Sequence, residues 1–129
     1  MDTISDFVTR IRNAGLAKHE KVDVPASNSR VGIAKVLEEA GYIRSFKVAR
    51  DGKQGVMRVY LKYDDGGKHM MSQVTRVSRP GRRVYVKALK IPQVRSGYGL
   101  CILSTNKGIM SGEKAAQMNL GGELLVEIW

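Results

Sequence analysis

Acidic side chains are absent from a long stretch of this sequence. The chain has 129 residues, 22 basic and 12 acidic side chains, and a net charge of +10. Residues 66–112 contain nine lysines and arginines and no aspartate or glutamate, whereas residues 1–65 have a net charge of +3 and residues 113–129 of −2. Because nearly all the excess lies in one stretch, we expect a polyanionic partner, most commonly nucleic acid. A solvated basic face kept for solubility is the alternative.

Cysteine and long apolar runs are also scarce. Cys101 is the single cysteine, which excludes an intramolecular disulfide and a multi-cysteine metal site. It lies in an apolar run, so we expect a small buried thiol. No apolar run approaches the roughly 18 residues of a membrane span, and polar residues interrupt the first ten positions, which is not typical of a signal peptide. We therefore expect a cytoplasmic protein with no membrane partner.

Catalytic and cofactor patterns are missing as well. His19 and His69 have no carboxylate or serine at a convincing spacing, and Gly97–Gly99 precedes a predicted strand and lacks the rest of a dinucleotide fingerprint. The sequence therefore predicts no enzyme, no cofactor and no metal site.

The first half of the chain predicts a small αβαββ domain. Residues 2–15 have an apolar stripe at helical spacing, a capping pattern at Thr3 and Asp6, and Gly15 as a stop. "KVDVPA" predicts a strand ended by proline. The next helix begins at Ser27, Asn28 or Ser29, buries Ile33, Val36, Leu37 and Ala40, and stops at Gly41. Two alternating runs around "DGKQG", residues 51–55, then predict a hairpin.

The second half predicts a mostly β domain with one short helix. "DDGGK", residues 64–68, is the best linker and also marks the change in charge. "SQVTRVS" and part of "RVYVKALKIP" predict short strands, and "YGLCILST" predicts a strand buried on both faces. Ser111 is positioned to cap a short helix, and "GELLVEIW" alternates so that Leu124, Val126 and Ile128 share one face. The expected fold class is α+β, with two small α/β domains at residues 1–65 and 66–129.

A polar segment follows the buried strand. Ser104, Thr105, Asn106, Lys107 and Gly108 are expected to form a loop between that strand and the helix that begins near Ser111. Hydroxyls, an amide and one cation suit 2′-hydroxyls, base edges and phosphates, and the free N–H groups of the helix start would favour a phosphate nearby. A polar turn that only caps the helix explains the composition equally well.

Arginine side chains surround "SRPG". Arg76, Arg79, Arg82 and Arg83 are suited to phosphates because the guanidinium fork matches their geometry. Tyr85 and Tyr98 lie in the same basic region and are candidates for stacking on bases, although half-buried packing is commoner for tyrosines near strands.

Four motifs occur together in a specific order. "TRIRNA", "VSRPGRRVY", "STNKGIM" and the terminal "LGGELLVEIW" make the whole chain resemble the bacterial small-subunit ribosomal protein eight family. The resemblance implies a structural, non-enzymatic protein that binds the central domain of 16S ribosomal RNA directly and helps assemble the platform of the small ribosomal subunit. It also implies that ribosomal proteins five and twelve are neighbours, and that some members repress translation by binding their own operon messenger.

The resemblance also assigns roles to particular residues. It implies that the 104–108 segment enters the minor groove of an irregular RNA helix, although Asn106 stands where the family usually has serine. Glu123 is implied to help hold that segment in place. The remaining expected RNA-binding residues lie in the basic stretch and in the first domain: Tyr85, Arg79, Arg82, Arg83, Lys87, Thr3, Ser5, Arg12, Asn13 and Arg30.

Two other functions stay open from the sequence. A DNA-binding or chaperone-like basic protein would bind duplex DNA about as well as structured RNA. An enzyme that acts on RNA would show turnover, but the lack of a general-base arrangement is evidence against it.

Overall fold

The computed structural model of the chain describes residues 3–49 and 55–129. Most of the predicted "DGKQG" turn, residues 51–54, lies outside the described residues. The chain divides into two compact units, Thr3–Ser72 and Gln73–Trp129. Both contain antiparallel sheet and helix, which confirms the predicted α+β fold class.

The first unit packs two helices on one face of a three-stranded antiparallel sheet, whose strand order is β1–β3–β2. Its elements in chain order are α1 (Thr3–Leu16), β1 (Lys21–Pro25), α2 (Asn28–Glu39), β2 (Ile43–Ala49) and β3 (Val56–Leu61). The buried side chains of β3 are Met57, Val59 and Leu61. Strand side chains alternate between faces, so the intervening residues of β3 lie on the opposite, open face.

Helix α1 buries the predicted apolar stripe but does not end where glycine suggested. Phe7, Val8 and Ile11 are almost fully buried, and the helix continues through Gly15 to Leu16. A Cβ at Gly15 would lie 2.2 Å from Nδ1 of His69, so this glycine is needed for close packing of the imidazole. The prediction of Gly15 as a helix stop is wrong because the residue meets a tertiary contact that local sequence does not encode.

Helix α2 begins as expected and ends one residue earlier than its apolar pattern suggested. Ser27 is the N-cap, and its hydroxyl accepts a hydrogen bond from the backbone N–H of Arg30 at 3.2 Å. Ala40 is exposed at the C-cap and not on the inner face, which corrects that prediction. The backbone then turns at Gly41.

Residues 62–72 belong to the first unit. Tyr63 and His69 form an isolated antiparallel bridge, with ring centroids 5.5 Å apart. The composition predicted a domain boundary between residues 65 and 66, and this boundary stays a prediction. The contacts between Cα atoms group residues 66–72 with the first unit.

The second unit is a five-stranded antiparallel sheet with one short helix. Its order is β4–β8–β6–β7, and β5 pairs with the first residues of β8. The elements in chain order are β4 (Val74–Arg76), β5 (Tyr85–Val86), β6 (Leu100–Thr105), β7 (Gly108–Ser111), α3 (Gly112–Gln117) and β8 (Gly122–Ile128), with 3-10 turns at Ala88–Lys90 and Val94–Gly97. Three consecutive residues of β6, Cys101–Leu103, are buried, which confirms the prediction of a strand covered on both faces.

A register shift changes the faces of β8. Leu103 pairs with Leu124, but the preceding Ile102 pairs with Val126, so Leu125 is an additional residue on β8. Adjacent residues of β6 point to opposite faces, and therefore Leu124 and Val126 do as well. The prediction that Leu124, Val126 and Ile128 share one face is wrong for Leu124.

The core of the second unit lies between the sheet and α3. Its buried members are Val94, Cys101, Leu103, Met110, Ala115 and Leu124. Cys101 is buried as expected, and its Sγ donates to the carbonyl of Pro92 at 3.6 Å. Burial raises the pKa of the Cys101 thiol, and Glu127 raises it further, so the thiol stays protonated.

Candidate functional site

The 104–108 segment is a tight β-hairpin. Ser104 and Thr105 end β6, Asn106 and Lys107 form the turn, and Gly108 begins β7. The expected loop between a strand and a helix is therefore a strand–turn–strand connection. Asn106, Lys107 and Gly108 are exposed, whereas Ser104 and Thr105 are half-buried. We call residues 104–108 the hairpin tip.

The hydroxyl of Thr105 holds the turn together. Its Oγ1 donates to the carbonyl of Gly108 at 2.8 Å and accepts from the backbone N–H of Lys107 at 3.1 Å. Gly108 has a φ of +109°, a left-handed conformation that glycine adopts without a Cβ clash. Hairpins whose turn ends in such a residue are common. The side chains of Asn106 and Lys107 are thus displayed on a turn whose backbone is fixed.

Helix α3 does not contribute to the tip. Ser111 caps it as expected, and its hydroxyl accepts from the backbone N–H of Lys114 at 3.2 Å. However, β7 separates the tip from the helix, and three residues of strand span about 10 Å. The expectation that the N–H groups of the helix start assist a phosphate at the tip is therefore wrong.

The tip lies at one end of the sheet, in register with the predicted Tyr85. Glu123 of β8 is the partner of Tyr85 on one side and of Ser104 on the other, and Ser104 is in turn the partner of Ile109. Neighbouring strands are about 4.8 Å apart, so Tyr85 and Ser104 are about 10 Å apart through their backbones. Paired residues point to the same face. The pairing therefore brings together two of the predicted RNA-binding residues from distant parts of the sequence.

The glycine pair before Glu123 permits this arrangement. A Cβ at Gly122 would lie 2.3 Å from the carbonyl oxygen of Ser104, and a Cβ at Gly121 would lie 2.5 Å from the carbonyl oxygen of Val86. Both neighbours are backbone atoms, which do not move aside as a flexible side chain does. The start of β8 therefore fits between β5 and β6 only because it lacks side chains.

Arg79, Arg82 and Arg83 lie on an exposed turn. The backbones of Arg79 and Arg82 exchange two hydrogen bonds, at 3.1 and 2.9 Å, so Pro80 and Gly81 form the end of a second tight turn. Arg83 Nη1 donates to Oε2 of Glu123 at 2.8 Å, and about half of its side chain stays exposed. The structure therefore presents the three arginines to solvent.

Ser78 connects this turn to the sheet, a role that the sequence reasoning missed. Its fully buried hydroxyl donates to Oε2 of Glu123 at 2.5 Å and accepts from the backbone N–H of Val84 at 3.1 Å. Burial raises the pKa of Glu123, but hydrogen bonds from Ser78 and Arg83 outweigh it and hold that pKa below its ordinary value. The carboxylate of Glu123 thus fixes the arginine turn, and its backbone pairs with Ser104 of the tip. The serine before "RPG" was the only sequence signal for this role.

Arg76 does not belong to the exposed arginines. Its side chain is buried, and Nη1 donates to the carbonyl of Leu125 at 2.7 Å. Leu125 is the additional residue of β8, so Arg76 satisfies a carbonyl at the register shift. Grouping Arg76 with phosphate-binding arginines is therefore wrong, because sequence spacing does not show which arginine faces the interior.

The aromatic residues of the basic stretch are exposed. Tyr85 is 69% exposed and Tyr98 is 89% exposed, so the half-buried alternative is wrong for both. Lys87 is also exposed and precedes the first 3-10 turn. The second unit thus exposes two tyrosine rings and Lys87 to solvent.

The predicted residues of the first unit differ in exposure. Thr3 and Asn13 are exposed, and Ser5 and Arg12 are half-buried on α1. Arg30 is only 8% exposed, and its Nη1 donates to the carbonyl of Pro25 at 3.0 Å. Its guanidinium therefore stabilises the connection between β1 and α2.

Metal-binding groups and membrane spans are not found in the described part of the chain. Among residues 3–49 and 55–129, no three histidine, cysteine, aspartate or glutamate side chains are placed to hold a metal ion. Within the same ranges, no helix combines the length and apolar character that crossing a bilayer would require.

The fold and the site define a small basic α+β protein that displays a polar hairpin tip and an arginine turn on one sheet. The family model described as "Ribosomal protein S8" matches residues 2–129. The chain belongs to this family, which confirms the predicted resemblance.

Relatives in this family match the chain along its length. The chain is 67% identical to "Small ribosomal subunit protein uS8" of Bdellovibrio bacteriovorus over 129 residues, all of both chains. It is 51% identical to the protein of the same name from Geotalea daltonii over 99% of this chain and 97% of the relative. The corresponding protein of Streptococcus uberis is 46% identical over the same shares.

Family membership establishes the general role. The chain is a structural, non-enzymatic component of the small ribosomal subunit, and therefore of a ribonucleoprotein that acts in translation. The predicted location in the small subunit and the prediction that the protein is not an enzyme are confirmed.

Proposed function

We propose that the chain binds 16S ribosomal RNA directly, within its central domain, through the sheet of the second unit. The observation that supports this most is the exposed hairpin tip, which displays an amide and an ammonium group on a fixed turn. Ser104 at its base is in register with Tyr85 through Glu123. Groups of this kind recognise 2′-hydroxyls and base edges in the wide minor groove of RNA.

The tip supplies discrimination and the arginine turn supplies affinity. Arg79, Arg82, Arg83 and Lys87 are exposed in a stretch without acidic residues, so they are suited to bind phosphates, although Arg83 also pairs with Glu123. Phosphate contacts position a protein on RNA, whereas contacts with base edges and sugars specify the site. On the first unit, Thr3, Ser5, Arg12 and Asn13 form a proposed secondary contact surface. Arg30 is buried against the carbonyl of Pro25 and is not part of that surface.

Binding of this kind places the protein in subunit assembly. In this proposal the protein organises the platform of the small subunit, beside ribosomal proteins five and twelve. The same surface binds an operon messenger that reproduces the shape of the ribosomal site, and so represses its translation. Translation of a reporter fused to that messenger should fall when the protein is added, and Lys107→Ala should relieve the repression.

The test is filter binding of Lys107→Ala to a 16S central-domain fragment and to a scrambled RNA of equal length. Loss of one charge-assisted hydrogen bond should weaken specific binding by about 2 kcal/mol, or roughly thirtyfold, and change scrambled binding little. Lys114→Ala removes the same charge from the exposed side of α3 and is the matched control. Equal losses on both RNAs would show that the tip is not the specific reader.

A second measurement separates affinity from discrimination. Arg79→Gln and Lys90→Gln should each lower the affinity for both RNAs. Each should also reduce the slope of log K against log salt concentration by about one. Duplex DNA bound as tightly as the central-domain fragment would instead support the rival function of a general basic DNA-binding protein.

A further inference from the structure

The open face of the first unit's sheet carries an exposed array of cations around one aromatic ring. The residues that face this side are paired across all three strands: Lys21, Tyr60 and Ser45 in one row, Asp23, Arg58 and Lys47 in the next, and Pro25, Val56 and Ala49 in the third. Every one of them is exposed or half-buried. The apolar alternates of β3 are buried on the other face, so nothing in the first unit's core requires this arrangement.

Tyr60 lies at the centre because β3 is the middle strand. The guanidinium of Arg44 lies 5.4 Å from the centroid of its ring, and the ammonium of Lys47 lies 5.9 Å from it. Cations at these distances are attracted by the quadrupole of the ring. Both cations belong to β2, and on the other side of β3 the strand partner of Tyr60 is Lys21 of β1.

The acidic groups on this face are already paired. Asp23 accepts two hydrogen bonds from Arg58, at 2.8 and 3.0 Å, in a bidentate pair. Arg44 contacts Glu20 only at 4.0 Å, and both side chains are mostly exposed. Within residues 3–49 and 55–129, Lys47 makes no ion pair, and its recorded contact is with the Tyr60 ring. The face therefore has an excess of positive charge at its edges and an approximately neutral pair at its centre.

We propose that this open face binds an unpaired RNA segment, with a base stacked on Tyr60 and phosphates paired with Lys21, Lys47 and Arg44. An exposed antiparallel sheet with a central aromatic residue and flanking cations is suited to single-stranded RNA, because bases stack on the ring and the backbone follows the charge. The apolar row of Pro25, Val56 and Ala49 offers a surface for a second base. An acidic protein segment would pair with the cations but would not use the Tyr60 ring or the apolar row. The inference goes beyond the proposed function and does not depend on the hairpin tip.

The test uses the full chain and a fluorescein-labelled nine-nucleotide oligouridine, followed by fluorescence anisotropy. Tyr60→Thr should weaken binding about tenfold, since stacking on one base is lost, whereas Tyr60→Phe keeps the ring and should bind like the wild type. Lys47→Gln should reduce the slope of log K against log salt concentration by about 0.7, the value for one phosphate contact on a single strand. Lys35→Gln, which removes an exposed lysine from α2, is the matched control and should leave both quantities unchanged.

Two RNAs distinguish this site from the tip. Tyr60→Thr should keep the affinity for the central-domain fragment within about twofold when that fragment has no unpaired overhang, and Lys107→Ala should keep the affinity for oligouridine. The proposal would be overturned if Tyr60→Thr bound oligouridine as tightly as the wild type. Thermal unfolding of both proteins would show that each is folded under the conditions of the assay. An equal effect of Lys35→Gln, or displacement of oligouridine by polyglutamate at the same charge concentration, would also overturn the proposal.

Discussion

Replacing Gly122 by alanine tests whether the start of β8 is as tightly enclosed as the structure shows. The new Cβ would lie 2.3 Å from the carbonyl oxygen of Ser104 and 3.1 Å from Cα of Thr105. Ordinary contacts begin near 3.4 Å. The end of β6 must therefore move away from β8 by about 1 Å, and backbone atoms cannot do so by a change of rotamer.

The expected cost is about 3 kcal/mol of unfolding free energy, the upper part of the usual range for overpacking, because the neighbour is backbone. Trp129 is the only tryptophan and lies in the second unit, so its fluorescence during urea unfolding reports on that unit. Gly81→Ala is the matched control. Nothing lies within 4 Å of its new Cβ and its φ is not in the left-handed range, so stability should change little.

The same variant connects stability to the proposed function. The residues that must move, Ser104 and Thr105, carry the hairpin tip, so the variant should also lose affinity for the central-domain fragment under conditions in which it is fully folded. If Gly122→Ala and Gly81→Ala unfolded at the same urea concentration, the reasoning would be refuted. That result would mean that β6 and β8 separate at no cost, and that the tip's position does not depend on the glycine pair.

Three other predictions follow from polar contacts. Glu123→Gln should lower the unfolding free energy by about 2 kcal/mol, because Ser78 and Arg83 lose a charged acceptor. The pKa of Glu123 is held below 4.5, so the stabilisation by its carboxylate is present above pH 4.5 and is lost as the pH falls through the folded-state pKa. The difference in unfolding free energy between Glu123→Gln and wild type, measured by urea unfolding, should therefore close in acid, and a constant difference would contradict this. Burial lowers the pKa of His69 from 6.5, so the first unit should lose stability as the pH falls below 6.5; methyl resonances during urea unfolding measure this, and no change between pH 7.5 and 5 would count against it. Thr105→Val should cost about 1 kcal/mol and weaken binding to the central-domain fragment, and Thr105→Ser should restore both; a valine variant with wild-type affinity would show that the hydroxyl does not fix the tip.

Much of the first unit followed from local pattern. The apolar stripe of α1, the cap at Ser27 and the alternation of β3 each depend on residues within about one turn or one strand, and the structure has all three. Gly15 is the exception, because its reason is the imidazole of His69, 54 positions along the chain. Periodicity shows which side of an element is apolar, but not which neighbour will pack against it.

The candidate site was predicted in composition but not in geometry. The charge distribution and the order of the motifs indicated the residues of the tip and the arginine turn. They did not show that β7 separates the tip from α3, that Arg76 faces the interior, or that Ser78 joins the arginine turn to Glu123. The first depends on a local hairpin whose turn type the composition does not show. The other two depend on contacts between residues 49 and 45 positions apart, whose free energy is not encoded in either segment alone.

The sequence by itself determined where the charge lies, where most of the helices and strands form, and which family the motifs resemble, since these depend on residue types and short spacings. Only the tertiary structure decided which polar side chains meet. The extra residue Leu125 moves Leu124 and Val126 to opposite faces of β8, and the pair Gly121 and Gly122 lets that strand pass between β5 and β6. Close packing and strand register are properties of several segments at once, so the position of the hairpin tip beside Tyr85 exists only in the folded sheet.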